Sequence, residues 1–68
     1  MNILVIEDDP DIFEVVSLSL DMRWPDADIL NAPTGELGVQ LAKTEEPDVV
    51  ILDIGLPDID GFEVCSRI

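Results

Sequence analysis

Two short apolar runs, each closing on acids, set the pattern of this chain. Ile3-Leu4-Val5-Ile6 ends at Glu7 and Asp8, and Val49-Val50-Ile51-Leu52 ends at Asp53. Runs of this length without a polar interruption read as strands covered on both faces, as in parallel sheets. The first predicts a strand from Asn2 to Ile6. Ile12, Phe13, Val16 and Leu20 then recur at helical spacing and predict a helix over residues 10–22. Pro10 suits the first turn of that helix, where its missing N–H costs nothing, and Asp9 suits the N-cap. Trp24-Pro25-Asp26 breaks it. A weaker strand over residues 27–31 rests on Ile29 and Leu30, and its flanking Asp26 and Asp28 suit a sheet edge. A second helix begins at Thr34, turns Leu37, Leu41 and Ala42 inward, and ends before Pro47. Gly38 lets that helix pack close to the sheet. Residues 48–53 form the most apolar strand, expected at the centre. Residues 54–60 read as a loop punctuated by Pro57, with Gly61 at a turn or helix start, and residues 62–68 as a third helix. The order is βαβαβα, an α/β fold without internal repeat or linker.

Parallel strands bring their carboxyl ends to one edge, and ligands of open α/β sheets bind in the crevice outside that edge. Glu7, Asp8 and Asp53 would therefore gather there and repel one another unless a cation sat among them. The pattern proposes a divalent metal site with Asp53 as its central member. Taken alone, Glu7, Asp8 and Asp9 also read as a cap and favourable charge at a helix N-terminus.

At 68 residues the chain is one domain at most, of a size whose core rarely supplies more than roughly 3–5 kcal/mol. Sixteen acids against three basic side chains give a formal charge of −13. With only Arg23, Lys43 and Arg67 as cations, the chain repels nucleic acid and anionic membrane, and no direct contact with either is expected. Cys65 is the single cysteine, so no internal disulfide forms, and it reads as a small helix residue. No basic leader and no apolar run near the ~20 residues of a membrane span is present. A cytoplasmic setting is expected.

Other residues read as structural. Pro57 rigidifies its loop, Asp60 is a cap, and Asp11, Glu14, Glu45, Glu46 and Asp58 are solvated surface charges. Trp24 is a partly buried anchor in a connection.

Residues 3–9 together with Asp53-Ile54-Gly55-Leu56-Pro57-Asp58-Ile59-Asp60-Gly61 resemble the receiver domain of bacterial two-component response regulators. The resemblance covers the whole chain. It joins an acidic pair after the first strand to an aspartate after the third at the family's separation, with the Pro and Asp-Gly at the family's offsets. It implies a flavodoxin-like, doubly wound parallel sheet of order 2-1-3, truncated so that residues 1–68 are the amino-terminal half of a receiver domain. It further implies that Asp53 is the phosphoacceptor, modified by a sensor histidine kinase or phosphotransfer protein. Mg²⁺ would be held by Asp8, Asp53 and the Gly55 backbone carbonyl, with Glu7 acting through water. Such a module is not itself an enzyme; phosphotransfer or autodephosphorylation would belong to the full-length domain.

Physical chemistry asks for the same groups. A carboxylate is a poor nucleophile toward an anionic phosphoryl donor, so positioning and charge neutralisation carry the catalysis. Mg²⁺ supplies both with oxygen ligands. Rival motifs fail on these residues. There is no Walker loop and no closely spaced glycine set after the first strand. A calcium loop through Asp58-Ile59-Asp60-Gly61 would put Leu56 and Arg67 where oxygen donors are required. A haloacid-dehalogenase-like phosphatase wants a second Asp where Gly55 stands.

A whole receiver has five strands and five helices, and this chain stops at its third helix, without the Ser/Thr and Lys that contact the phosphoryl group. The alternative reading is a half-receiver acting as a pairing or scaffold module without phosphotransfer. In the family the third strand lies between the first and fourth, so Val49 to Leu52 would form an exposed apolar edge. A homodimer through the third strand, or by exchange of elements, is expected.

Overall fold

The computed structural model describes residues 1–52, 58 and 61–68, without the side chains of residues 61, 62 and 65. Its elements are β1 (Asn2–Ile6), α1 (Pro10–Arg23), β2 (Asp28–Ala32), α2 (Gly35–Glu45), β3 (Val49–Leu52) and α3 (Gly61–Arg67). The strands are parallel and ordered β2-β1-β3. The expected element order, the sheet order and the edge position of β2 all hold. Of the expected loop over residues 54–60, only Asp58 is described.

Strand alternation splits the core into two layers. Leu4 and Ile6 face α2 and α3, where Ala32, Val39 and Val64 close around them and Val50 and Leu52 pack from β3. Ile3 and Val5 face α1, meeting Leu20, Phe13 and Val16, with Ile29 and Ile51 from the flanking strands. Helices therefore cover both faces. This explains why β1 is apolar at every position from Ile3 to Ile6, each at most 1% exposed.

β3 is not central as its apolar run suggested. Among the described residues it pairs with β1 alone, and Val49 is 42% exposed. An apolar run reports coverage of a strand's two faces; it does not count its paired edges. At the start of this strand, Asp48 fixes the register on β1: its N–H donates to the Asn2 carbonyl at 2.8 Å, and its carboxylate accepts the Asn2 N–H at 2.8 Å.

Both long helices are turned slightly from expectation. On α1, Phe13, Val16 and Leu20 point inward, whereas Ile12 is 49% exposed. On α2 the inward stripe is Gly35, Gly38, Val39 and Ala42, with Leu41 beside it and Leu37 left exposed. Steps of three and four keep those residues on one face, and Leu37 falls off it by about one residue's rotation of 100°. The predicted Asp9 cap is present, its side chain accepting the Asp11 N–H, whereas Thr34, read from the sequence as the start of the second helix, stands just before Gly35 as its N-cap and accepts the Leu37 N–H. The last turn of α1 leads into Trp24, nearly half exposed, with the Arg23 guanidinium 5.5 Å from its ring centroid.

Candidate functional site

The register places Ile6 opposite Leu52, so β1 and β3 end level with each other at the carboxyl edge of the sheet. Beyond Ile6 the chain passes directly into Glu7, Asp8 and Asp9, and these three acids stand in different environments. Glu7 is buried, at 8% exposure. Its N–H continues the ladder to the Ala32 carbonyl at 3.0 Å, and its Oε1 accepts the Asp9 N–H at 3.1 Å. Asp8 is exposed. Asp9 is committed to α1, with extended backbone (φ −88°, ψ 115°) and its Oδ1 2.9 Å from the Asp11 nitrogen.

Two features hold this edge in shape. Asn31, at the end of β2, donates its side-chain N–H to the Val5 carbonyl at 3.3 Å and to the Glu7 carbonyl at 3.4 Å, tying the acidic turn to the neighbouring strand. Asp58 reaches the start of α2: Oδ1 accepts the Gly35 N–H at 2.8 Å and Oδ2 the Glu36 N–H at 2.9 Å. This corrects the expectation that Asp58 is only a solvated charge. Its carboxylate, though exposed, caps a helix that begins 23 positions earlier. Neither role has a local signal in the sequence, because each partner is brought in by the fold.

α2 and α3 are joined on the surface by Arg67, whose guanidinium grips the Glu36 carboxylate through two bonds of 2.9 and 3.2 Å. The hydrogen bond and charge of Arg67 hold the Glu36 carboxyl below the usual range, and Glu36 raises Arg67 in turn. Both groups are solvent-exposed, so this pair is a modest clasp.

Asp53, the Gly55 carbonyl, Pro57 and Asp60 lie outside the described residues. Among the described residues no group of three or more potential metal-ligating side chains comes together. What is described at the edge is a carboxylate pair, one buried and one exposed, presenting oxygen donors alone. Hard divalent cations such as Mg²⁺ prefer that donor chemistry, so the residues fit such an ion. Among the described residues, no helix is long and apolar enough to cross a membrane.

Comparison with known proteins gives a consistent result. The family model "Response regulator receiver domain" matches residues 3–68. The chain is 44% identical over 67 residues to the DNA-binding dual master transcriptional regulator RpaA of Synechocystis, covering 98% of this chain and 27% of that protein. It is 43% identical over 67 residues to the transcriptional regulatory protein AfsQ1 of Streptomyces coelicolor, covering 98% of this chain and 29% of that one. Among solved structures, the N-terminal domain of a response regulator receiver protein from Methanoculleus marisnigri superposes with a TM-score of 0.86 at 33% identity, over 98% of this chain and 53% of that one. The chain thus spans under a third of the length of these curated relatives and about half of this solved receiver chain.

Proposed function

The chain belongs to the response regulator receiver domain family, and from that premise we propose that it is the amino-terminal half of a phosphoacceptor receiver, with Asp53 as the group that takes the phosphoryl. The observation that carries this reading is the level ending of β1 and β3. It brings the Glu7-Asp8 turn and Leu52, the residue before Asp53 in the sequence, to the same edge of the sheet.

In the proposed step an Asp53 carboxylate oxygen attacks the phosphorus of a phosphohistidine on a sensor kinase or phosphotransfer protein. The new O–P bond forms as the P–N bond breaks, and the bond pair leaves on the imidazole nitrogen. The product is an acyl phosphate on Asp53. The chain is modified once per event and is not a turnover catalyst.

Mg²⁺ held by Asp8, Asp53 and the Gly55 carbonyl, with Glu7 through water, would neutralise charge on the phosphoryl oxygens when bound. The protein's own residues set up the rest. Asn31 and the Asp9 N–H orient the acidic turn, burial keeps Glu7 in place, and Asp8 stands open to solvent, where a cation can reach it. The strongly negative chain disfavours nucleic acid as a direct partner, and the proposed setting is cytoplasmic.

Intact mass decides the reading. Treated with a small acyl phosphate donor and Mg²⁺, the protein gains one phosphoryl group, and Asp53→Asn gains none. Equal labelling of the two, or none of the wild type, removes Asp53 as acceptor.

A further inference from the structure

The backbone ladder between β1 and β2 continues one step past the last residue of β1, where the Glu7 N–H donates to the Ala32 carbonyl at 3.0 Å. Beyond Ala32 the chain turns away into Pro33, which has no N–H to give, and Thr34, which caps α2. The Glu7 carbonyl is met by a side chain instead. Asn31 stands opposite Val5 in the register, and its amide nitrogen lies 3.3 Å from the Val5 carbonyl and 3.4 Å from the Glu7 carbonyl. One NH₂ group carries two hydrogens, enough for both acceptors. Each bond is long, and the pair holds the amide between two carbonyls of the same strand row.

The Glu7 carbonyl shares a rigid peptide plane with the nitrogen and Cα of Asp8, so a bond that orients the one orients the other. Glu7 has restraints of its own, being buried and accepting the Asp9 N–H on Oε1 at 3.1 Å. Asp8 is exposed, so the direction of its carboxylate follows from its backbone rather than from packing. That backbone is what Asn31 reaches.

We infer that Asn31 is a positioning residue for the cation: by fixing the peptide between Glu7 and Asp8, it sets the direction in which Asp8 offers its carboxylate, and with it the affinity of the acidic turn for Mg²⁺. This rests on the reading of Glu7 and Asp8 as acids that hold the ion. Mg²⁺ demands near-ideal octahedral geometry, so a misdirected ligand weakens it. Groups that orient metal ligands without touching the metal typically contribute on the order of 10–100-fold in affinity. Asn31 belongs to that class, and its long bonds place it at the lower end.

The test compares Asn31→Leu with Thr34→Ala in the intact protein. Leucine is close to asparagine in shape and cannot donate, while Thr34→Ala loosens a helix cap and leaves the Glu7 carbonyl bonded. The measurement is the shift of the Asp8 and Asp9 amide signals in nuclear magnetic resonance spectra as Mg²⁺ is added, alongside a thermal melt of each variant. Without metal, the Asp8 amide nitrogen signal is expected to move in Asn31→Leu and to stay in place in Thr34→Ala. With metal, Asn31→Leu is expected to bind about tenfold more weakly than wild type, and Thr34→Ala within about twofold of it. If Asn31→Leu does not fold, Asn31→Ala becomes the deciding variant by the same comparison. Equal Mg²⁺ affinity in wild type and the Asn31 variant overturns the inference while leaving the metal reading intact. Wild-type Asp8 and Asp9 signals that ignore Mg²⁺ overturn both.

Discussion

Gly38 lies so close to Ile6 that a Cβ built on it would stand 2.5 Å from Ile6 Cδ1, 2.8 Å from Cγ1 and 3.1 Å from Cγ2. Ile6 is the last residue of the central strand and is fully buried. This contact sets how near α2 comes to the end of β1 from which the acidic turn departs.

Gly38→Ala is therefore expected to destabilise the protein. Alanine is the better helix former by about 1 kcal/mol, but overpacking a closed core costs about 1–3 kcal/mol, and three atoms of a stiff β-branched side chain would have to move. The expected net loss is about 1 kcal/mol, measured by denaturant melts. Ile6→Val, which deletes Cδ1, should recover part of it when combined with Gly38→Ala, giving a non-additive cycle. A stabilised Gly38→Ala would show that Ile6 can turn aside freely.

Mg²⁺ should raise the melting temperature, because an ion that binds only the native state stabilises it by mass action, about 1.4 kcal/mol at ten times its Kd. Asp8→Asn should be somewhat more stable without metal, through relief of repulsion, and respond less to millimolar Mg²⁺. An equal response in both proteins would place the ion elsewhere.

The Glu36–Arg67 clasp should be lost in acid. Glu36 has its folded value lowered from 4.5 by Arg67, so its contribution is full above the unfolded value and disappears as pH falls through the lower folded one. Arg67 is shifted upward and stays charged throughout this range. The difference in melting temperature between wild type and Glu36→Gln should be small near neutral pH, shrink with added salt, and disappear once the pH falls below the lowered folded value. A difference that grows in acid would contradict this account.

β3 presents Val49 at 42% exposure on a strand that, among the described residues, pairs on one side alone. The 68-residue chain is expected to dimerise through this edge, with its charge of −13 limiting larger assemblies. Val49→Lys should shift sedimentation toward the monomer. Sedimentation of the wild type as a monomer at tens of micromolar would rule out the edge as an interface.

Most of the fold was legible in the sequence because its signals are local. Four-residue apolar runs mark β1 and β3, helical spacing marks α1 and α2, and Asp9 and Thr34 cap helices within three residues of themselves. The same locality misled in three places. Ile12 and Leu37 are apolar but sit outside the buried arc, since spacing alone leaves the rotation of a helix open by about one residue. The apolar run of β3 suggests a central strand, although among the described residues the sheet centre belongs to β1.

The sequence by itself determined which residues become strands and helices, which ends carry acids, and the family to which the chain belongs, because periodicity, caps and motif spacing are written along the chain. Only the tertiary structure decided that Asp58 caps α2, that Asn31 holds the acidic turn, that Glu36 grips Arg67, and that Gly38 seats against Ile6. Each of those contacts joins residues more than twenty positions apart. Their energy depends on distances and angles that exist only after the sheet has brought the ends of β1, β2 and β3 together.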